Sequence, residues 1–228
     1  MSRFSVEANM QYQNQQLTQS NITQQNSQQP QTSLMLPQLN FPSEFNKPTV
    51  ALDRDGVLCE CAEVISRGDQ FVPIKDSFRA VAIIRSLGHK VVVLFDQPGI
   101  SRKKITIPEV ETMNQHMLNL LGQAGCISID GMFYSISDKK RDVYAKPNLG
   151  MFNHAESMLS GVKLRGGYYV GDDIDDLVMA NNAGATPVLV LTGKGEKTIR
   201  TLDKPIYKLL KPKVKVFANL MEFAKSIS

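Results

Sequence analysis

Two rhythms of hydrophobic residues alternate along this chain. Short apolar runs at Thr49–Leu52, His89–Phe95, Cys126–Ile129, Gly167–Gly171 and Gly184–Leu191 predict buried strands, being too brief for helices. Between them the apolar positions recur at helical spacing. Phe78, Val81, Ile84 and Leu87 share one face of a helix that Asp76 is placed to cap and Gly88 to stop. Ile107-Pro108 opens a longer helix bearing Val110, Met113, Met117, Leu118 and Leu121, which Gly122–Gly125 ends; His116 within it reads as a partly exposed helix residue. Met151, Phe152, Ala155, Met158 and Leu159 mark a third helix, its methionines core filler, and Leu177, Val178, Ala180 and Asn181 lie along a fourth. A short strand and a helix over Val216–Ile227 close the pattern. Cys59–Gln70 and Gly131–Tyr144 lack a period and predict loops, the first a small flap, the second carrying a solvated charged turn at Asp138–Asp142. Alternating strand and helix predicts an α/β fold.

The polar residues that punctuate this pattern fall just after strands. Asp53-Arg-Asp55-Gly56 follows the first, Asp96-Gln97-Pro-Gly99 the second, and Asp172-Asp-Ile-Asp-Asp176 the Gly167–Gly171 strand. Open parallel sheets bind ligands beyond this edge. Asp53 and Asp55 by themselves fit either an Asp-Gly turn or a pair of converging carboxylates, which repel unless a hard cation such as Mg²⁺ neutralises them. Asp172, Asp173, Asp175 and Asp176 place four carboxylates in five residues, more than helix capping needs.

Composition divides the 228 residues unevenly. The first forty contain eleven Gln and five Asn, with only Arg3 and Glu7 charged, which predicts a disordered or partner-docking arm over residues 1–45 ahead of a domain over 46–228. Leu34–Pro37 and Phe41–Phe45 are the arm's candidate docking patches. The net charge of +4 is local: between Lys194 and Lys215 eight Lys or Arg face Glu196 and Asp203. This stripe is a second candidate contact for a protein partner; with Tyr207 its single aromatic, it matches no nucleic-acid module. Cys59, Cys61 and Cys126 form no disulfide framework and no paired metal motif, nothing resembles a signal peptide, and no apolar run is long enough to span a bilayer. A cytoplasmic protein is expected, with no zinc.

In this order, Asp53-Arg-Asp55-Gly56, Asp96-Gln-Pro-Gly-Ile100, Lys146-Pro147 and Gly171-Asp-Asp-x-x-Asp176 resemble the haloacid dehalogenase superfamily of aspartate-dependent phosphatases, over about residues 48–200. The likeness is nearest to the heptose bisphosphatases and histidinol-phosphate phosphatases. It implies a Rossmann-like parallel sheet with helices on both faces, no large cap domain, and a small phosphorylated molecule as substrate. Asp53 would be the nucleophile, and Asp55 the acid that protonates the leaving alcohol and later activates water. Mg²⁺ would be held by Asp53, the Asp55 carbonyl and Asp172, with Asp176 or Asp173 in support. Lys146 would neutralise the phosphoryl group, with Gln97 beside it and Arg102, from the basic Ser101–Lys104, in support.

The chain departs from the family at several of these positions. Phe95 stands where Thr or Ser donates a hydroxyl to the phosphoryl oxygens, and loss of one such donor costs about 3 kcal/mol. Asp96 replaces the usual Asn, Ala145 a common Arg, and Gly131–Tyr144 lacks the Cys and His of the bisphosphatases' zinc loop. Two expectations follow: a Mg²⁺-dependent phosphomonoester hydrolase of reduced activity, or a degenerate domain serving as adaptor in a larger assembly.

Overall fold

The structure, a computed structural model, describes residues 47–60, 71–126 and 128–228. The arm and most of the expected flap lie outside these residues. A six-stranded sheet forms the centre, built from β1 (Val50–Leu52), β2 (Val91–Asp96), β3 (Gly131–Ser135), β4 (Tyr168–Gly171), β5 (Thr186–Val190) and β6 (Lys215–Phe217). Every pairing is parallel, in the order β3-β2-β1-β4-β5-β6. The chain thus builds outward from β1 in one direction and then resumes on its other side with β4. Val50 pairs with Val91 on one flank and with Tyr168 on the other.

Strand residues alternate between two cores, as the period of two requires. Val50, Leu52, Val91, Val93, Phe95, Val170 and Val188 face one layer of helices: α1 (Ser77–Ser86), α2 (Ile107–Gln123) and α6 (Leu220–Ser226). Ala51, Val92, Leu94 and Tyr169 face the other, where α3 (Gly150–Met158) and α4 (Ile174–Ala183) supply Phe152, Ala155, Met179 and Ala180. The short α5 (Gly195–Thr201) leads to Leu202, which packs with Leu177 and Leu189. This is the α/β sheet with helices on both faces.

Three local expectations need correction. The third strand is Gly131–Ser135 and not Cys126–Ile129. Asp130 explains the shift: its carboxylate accepts the Val91 N–H at 2.7 Å and pairs with Arg85, fixing the start of β3 after it. Residues expected to open a loop are therefore sheet, with Phe133 and Tyr134 buried on opposite faces. Asp76 holds the N-cap position of α1 but makes no side-chain cap bond, its backbone being left-handed at φ 60°. The capping box unnoticed in the sequence is at α2, where Glu109 accepts from the Thr106 N–H and hydroxyl, both at 2.7 Å.

Candidate active site

The parallel strands all end on one edge of the sheet, and polar residues gather there, where β1, β2 and β4 end. Asp53 still belongs to the sheet through its N–H, which donates to the Val170 carbonyl at 2.9 Å, so its side chain emerges between β1 and β4. This is where the direction of strand addition reverses, the position at which such sheets bind ligands. Asp172 follows β4 directly. Asp173 caps α4, and Asp176 in the first turn reaches back to accept the N–H groups of Asp172 and Asp173 at 3.2 and 3.0 Å. Carboxylate oxygens of Asp53, Asp172 and Asp176 lie within 4.8 Å of one another, all three residues buried.

Lys146 enters this cluster from the loop after β3. Its Nζ sits 2.8 Å from Asp53 Oδ2 and 2.7 Å from Asp176 Oδ1. Asp96 fixes the lysine backbone, its two carboxylate oxygens accepting the Lys146 N–H at 3.3 and 3.4 Å. Burial opposes the charge on Lys146, yet Asp176 and Asp53 outweigh it and hold the ammonium well above its usual range. The carboxylates are in the converse position. Burial, with Asp176 beside it, raises Asp53 far above the ordinary range, and the same two causes push Asp172 up to about 6. Three carboxylates against one ammonium leave an excess of negative charge that a hard divalent cation is suited to balance.

The surrounding loops are shaped to this cluster. At Gly56 and Gly193, both at positive φ, an added Cβ would stand 2.0 and 2.2 Å from Asp172 Oδ2, so no larger residue fits either place. The Lys194 N–H donates to the same Oδ2 at 2.7 Å, and the Thr192 hydroxyl donates to the Gly56 carbonyl at 2.6 Å. Lys194 Nζ reaches Asp173 at 2.8 Å. The oxygen donor set and its compact spacing fit Mg²⁺.

A second assembly, missed in the sequence, centres on Arg54. Its side chain is buried, and its guanidinium grips Asp55 through Nε and Nη2 at 2.9 and 3.0 Å while Nη2 also donates to Gln97 Oε1 at 2.7 Å. The ring of Phe95 lies beneath it and stacks in turn on Tyr134, centroids 5.2 Å apart. Arg54 Nη1 is buried with no hydrogen-bond partner. Burial resists ionisation of Asp55, but Arg54 prevails and holds its carboxyl below the ordinary value. No local signal marks this role, since Gln97 and Phe95 reach Arg54 only across the sheet.

Of the expected site residues, Asp53, Lys146, Asp172 and Asp176 therefore meet directly, and Asp55 and Gln97 meet through Arg54. Asp173 serves as a helix cap and Lys194 partner. Arg102 lies half-exposed at the surface, 3.5 Å from Asp138.

The sequence pattern of the HAD-hydrolase-like family matches residues 143–220. The D-glycero-beta-D-manno-heptose-1,7-bisphosphate 7-phosphatase of Neisseria meningitidis is 31% identical over 182 residues, covering 78% of this chain and 93% of the relative. The enzyme of that name from Pseudomonas aeruginosa is 34% identical over 164 residues, 71% of this chain and 89% of its own. Among solved structures, D,D-heptose 1,7-bisphosphate phosphatase from B. bronchiseptica, crystallised with magnesium and phosphate, superposes with a TM-score of 0.70 at 26% identity, covering 79% of this chain and 97% of that one. No helix among the described residues is long and apolar enough to cross a membrane. The chain belongs to the haloacid dehalogenase-like phosphatases, in the branch that includes the heptose-bisphosphate phosphatases.

Proposed function

We propose that this chain is a Mg²⁺-dependent phosphomonoester hydrolase of reduced rate, acting through an aspartyl-phosphate on Asp53. The observation that carries this reading is Lys146 Nζ bridging Asp53 and Asp176 inside a buried cluster, since a scaffold gains nothing from such crowded charge. Mg²⁺ would be held by Asp53, Asp172 and Asp176 and the Asp55 carbonyl, and would supply charge neutralisation for the phosphoryl oxygens.

Asp53 attacks phosphorus as the bond to the leaving alcohol breaks, and Lys146 balances the negative charge that gathers there. Asp55 gives its proton to the leaving oxygen. Water then attacks the phosphorus of the aspartyl-phosphate, Asp55 takes a proton from it, and inorganic phosphate leaves with Asp53 restored. At rest Arg54 holds Asp55 ionised, the form suited to the second half-reaction; the first half-reaction needs the protonated form and is disfavoured by that grip. Together with the missing hydroxyl at Phe95, this supports a reduced rate.

The names of the relatives make phosphorylated sugars the first substrate class to test. The division into an arm over 1–45 and a domain over 46–228 belongs to the same proposal. So does contact of the basic stripe with an acidic protein, a role supported by Ile206 and Leu209, which are 81% and 83% exposed beside Lys204 and Lys208. The test is phosphate release from sugar phosphates with Mg²⁺, by wild type and Asp53→Asn, alongside capture of beryllium fluoride. Release or capture abolished in Asp53→Asn bears out the reading. Neither in the wild type would overturn it and favour the adaptor.

A further inference from the structure

Three loops meet at the carboxylate cluster, and one of them ties the other two together. The turn after β1 brings Asp53 and the Asp55 carbonyl, and the turn after β4 brings Asp172. The loop after β5, residues 192–195, touches both. Thr192 Oγ1 donates to the Gly56 carbonyl at 2.6 Å, and the Lys194 N–H donates to Asp172 Oδ2 at 2.7 Å. Gly193 sits between these two bonds: a Cβ there would stand 2.5 Å from Gly56 Cα and 2.2 Å from Asp172 Oδ2.

The loop has little freedom of its own. The Gly195 N–H closes it on the Thr192 carbonyl at 2.9 Å, and a Cβ at Gly195 would stand 1.9 Å from the Val190 carbonyl oxygen. The β1 turn is held from its other side, where the Gly56 N–H donates to the Cys59 carbonyl at 2.7 Å. The Thr192 hydroxyl thus joins two constrained turns, one carrying Asp53 and the Asp55 carbonyl, the other orienting Asp172. Thr192 itself offers no atom to the cluster. Its bond acts there only by fixing how far the oxygens of the β1 turn stand from Asp172.

We propose that Thr192 is a positioning residue that holds these oxygens at the spacing Mg²⁺ requires, and so sets a preference for Mg²⁺ over Ca²⁺. The inference rests on the Mg²⁺ site of the proposed function. Mg²⁺ takes oxygens at about 2.0–2.1 Å in a near-ideal octahedron, whereas Ca²⁺ takes them at about 2.3–2.6 Å in flexible shells. Without the hydroxyl the Gly56 carbonyl loses this partner, and the β1 turn is free to draw away from Asp172. A looser cage costs the smaller ion its geometry and still suits the larger one.

The test is calorimetric titration of Mg²⁺, and separately of Ca²⁺, into the full-length chain. Thr192→Val keeps the side chain's shape and removes the donor, and loss of one neutral hydrogen bond leaves the chain folded. The wild type should bind Mg²⁺ more tightly than Ca²⁺. Thr192→Val should weaken Mg²⁺ about tenfold and Ca²⁺ by less than about threefold, while Thr192→Ser, which keeps the hydroxyl, should stay within about twofold of the wild type for both. Thr201→Val removes an exposed hydroxyl that donates to the Lys197 carbonyl within α5, and should leave both affinities unchanged. Melting temperatures in EDTA record the structural cost separately. A lowered melting temperature with both affinities intact would make Thr192 a structural residue only and overturn the proposal. Equal weakening of the two ions, no rescue by Thr192→Ser, or a wild type without preference for Mg²⁺ would each overturn it as well. A wild type that binds no Mg²⁺ would overturn the metal site of the proposed function together with this inference, whereas Mg²⁺ binding that Thr192→Val leaves unchanged would overturn this inference alone.

Discussion

The Arg54 guanidinium carbon stands 3.9 Å from the centroid of the Phe95 ring, so the residue between Asp53 and Asp55 rests on a side chain near the end of β2. The ring is fully buried and backed by Tyr134, whose hydroxyl donates to Glu111 at 2.5 Å. Arginine over an aromatic face is attractive, and more so when desolvated. Phe95 is thus packed between Arg54 and Tyr134.

Phe95→Leu should lower unfolding stability by about 1–3 kcal/mol, combining lost area with the lost contact to Arg54. Urea denaturation reads this directly. A midpoint equal to that of the wild type would mean that the guanidinium does not rest on the ring in solution.

Asp53→Asn should abolish turnover while raising stability in the absence of divalent cations. Burial and neighbouring carboxylates disfavour the ionised form of Asp53, so a neutral isostere relieves that cost. Lys146→Ala acts oppositely. It strips the shared counter-charge from Asp53 and Asp176 and should cost about 3–5 kcal/mol. Thermal unfolding in EDTA compares the two, and destabilisation by Asp53→Asn would contradict the crowded-charge account.

Asp96 gives a pH dependence whose sign is fixed. Burial first of all pushes its pKa from 3.8 to about 6, against Lys146, which lowers it. Between these values the folded state binds more protons than the unfolded one, so this group's contribution falls as pH rises from 3.8 to about 6 and is constant above. Asp96→Asn keeps an oxygen acceptor for the Lys146 N–H and removes the fall. The variant should gain about 1–3 kcal/mol at pH 7 and little at pH 4. Equal gains at both pH values would exclude this titration as the cause.

Mg²⁺ should raise the melting temperature by about 2–8 °C near saturation, since it binds the assembled carboxylates and not the unfolded chain. The rise should shrink in Asp172→Asn. It should also shrink as pH falls below about 6, where Asp172 takes up a proton and competes with the ion. A shift unaffected by the substitution would place the ion elsewhere.

What the sequence disclosed follows from the range of the interactions involved. The strands other than β3, and α2, were legible because local apolar period and Pro108 specify them without tertiary help. β3 was not, because its place depends on Asp130 meeting Val91 and Arg85, residues far away in the chain. Among the site residues, Asp53, Asp172 and Asp176 were readable as charges following strands, and Lys146 only through the Lys146-Pro147 likeness to the family. Arg54 was hidden because its role is defined by Phe95 and Gln97, brought beneath and beside it only by the β1–β2 pairing. Asp96 read as a polar residue after the second strand that replaces a usual Asn; its contact with the Lys146 backbone belongs to a long-range packing that no local pattern encodes.

Because strand addition reverses at β1, Asp53 and its two metal-competent neighbours come from opposite halves of the chain and meet only when β4 docks. Closing so long a loop is slow and costs entropy, so the cluster is assembled late in folding. The first β1-α1-β2 unit to leave the ribosome carries Asp53, Asp55 and Asp96 but neither Lys146 nor Asp172. A nascent chain therefore carries Asp53, the proposed nucleophile, long before Lys146 and Asp172 have been made.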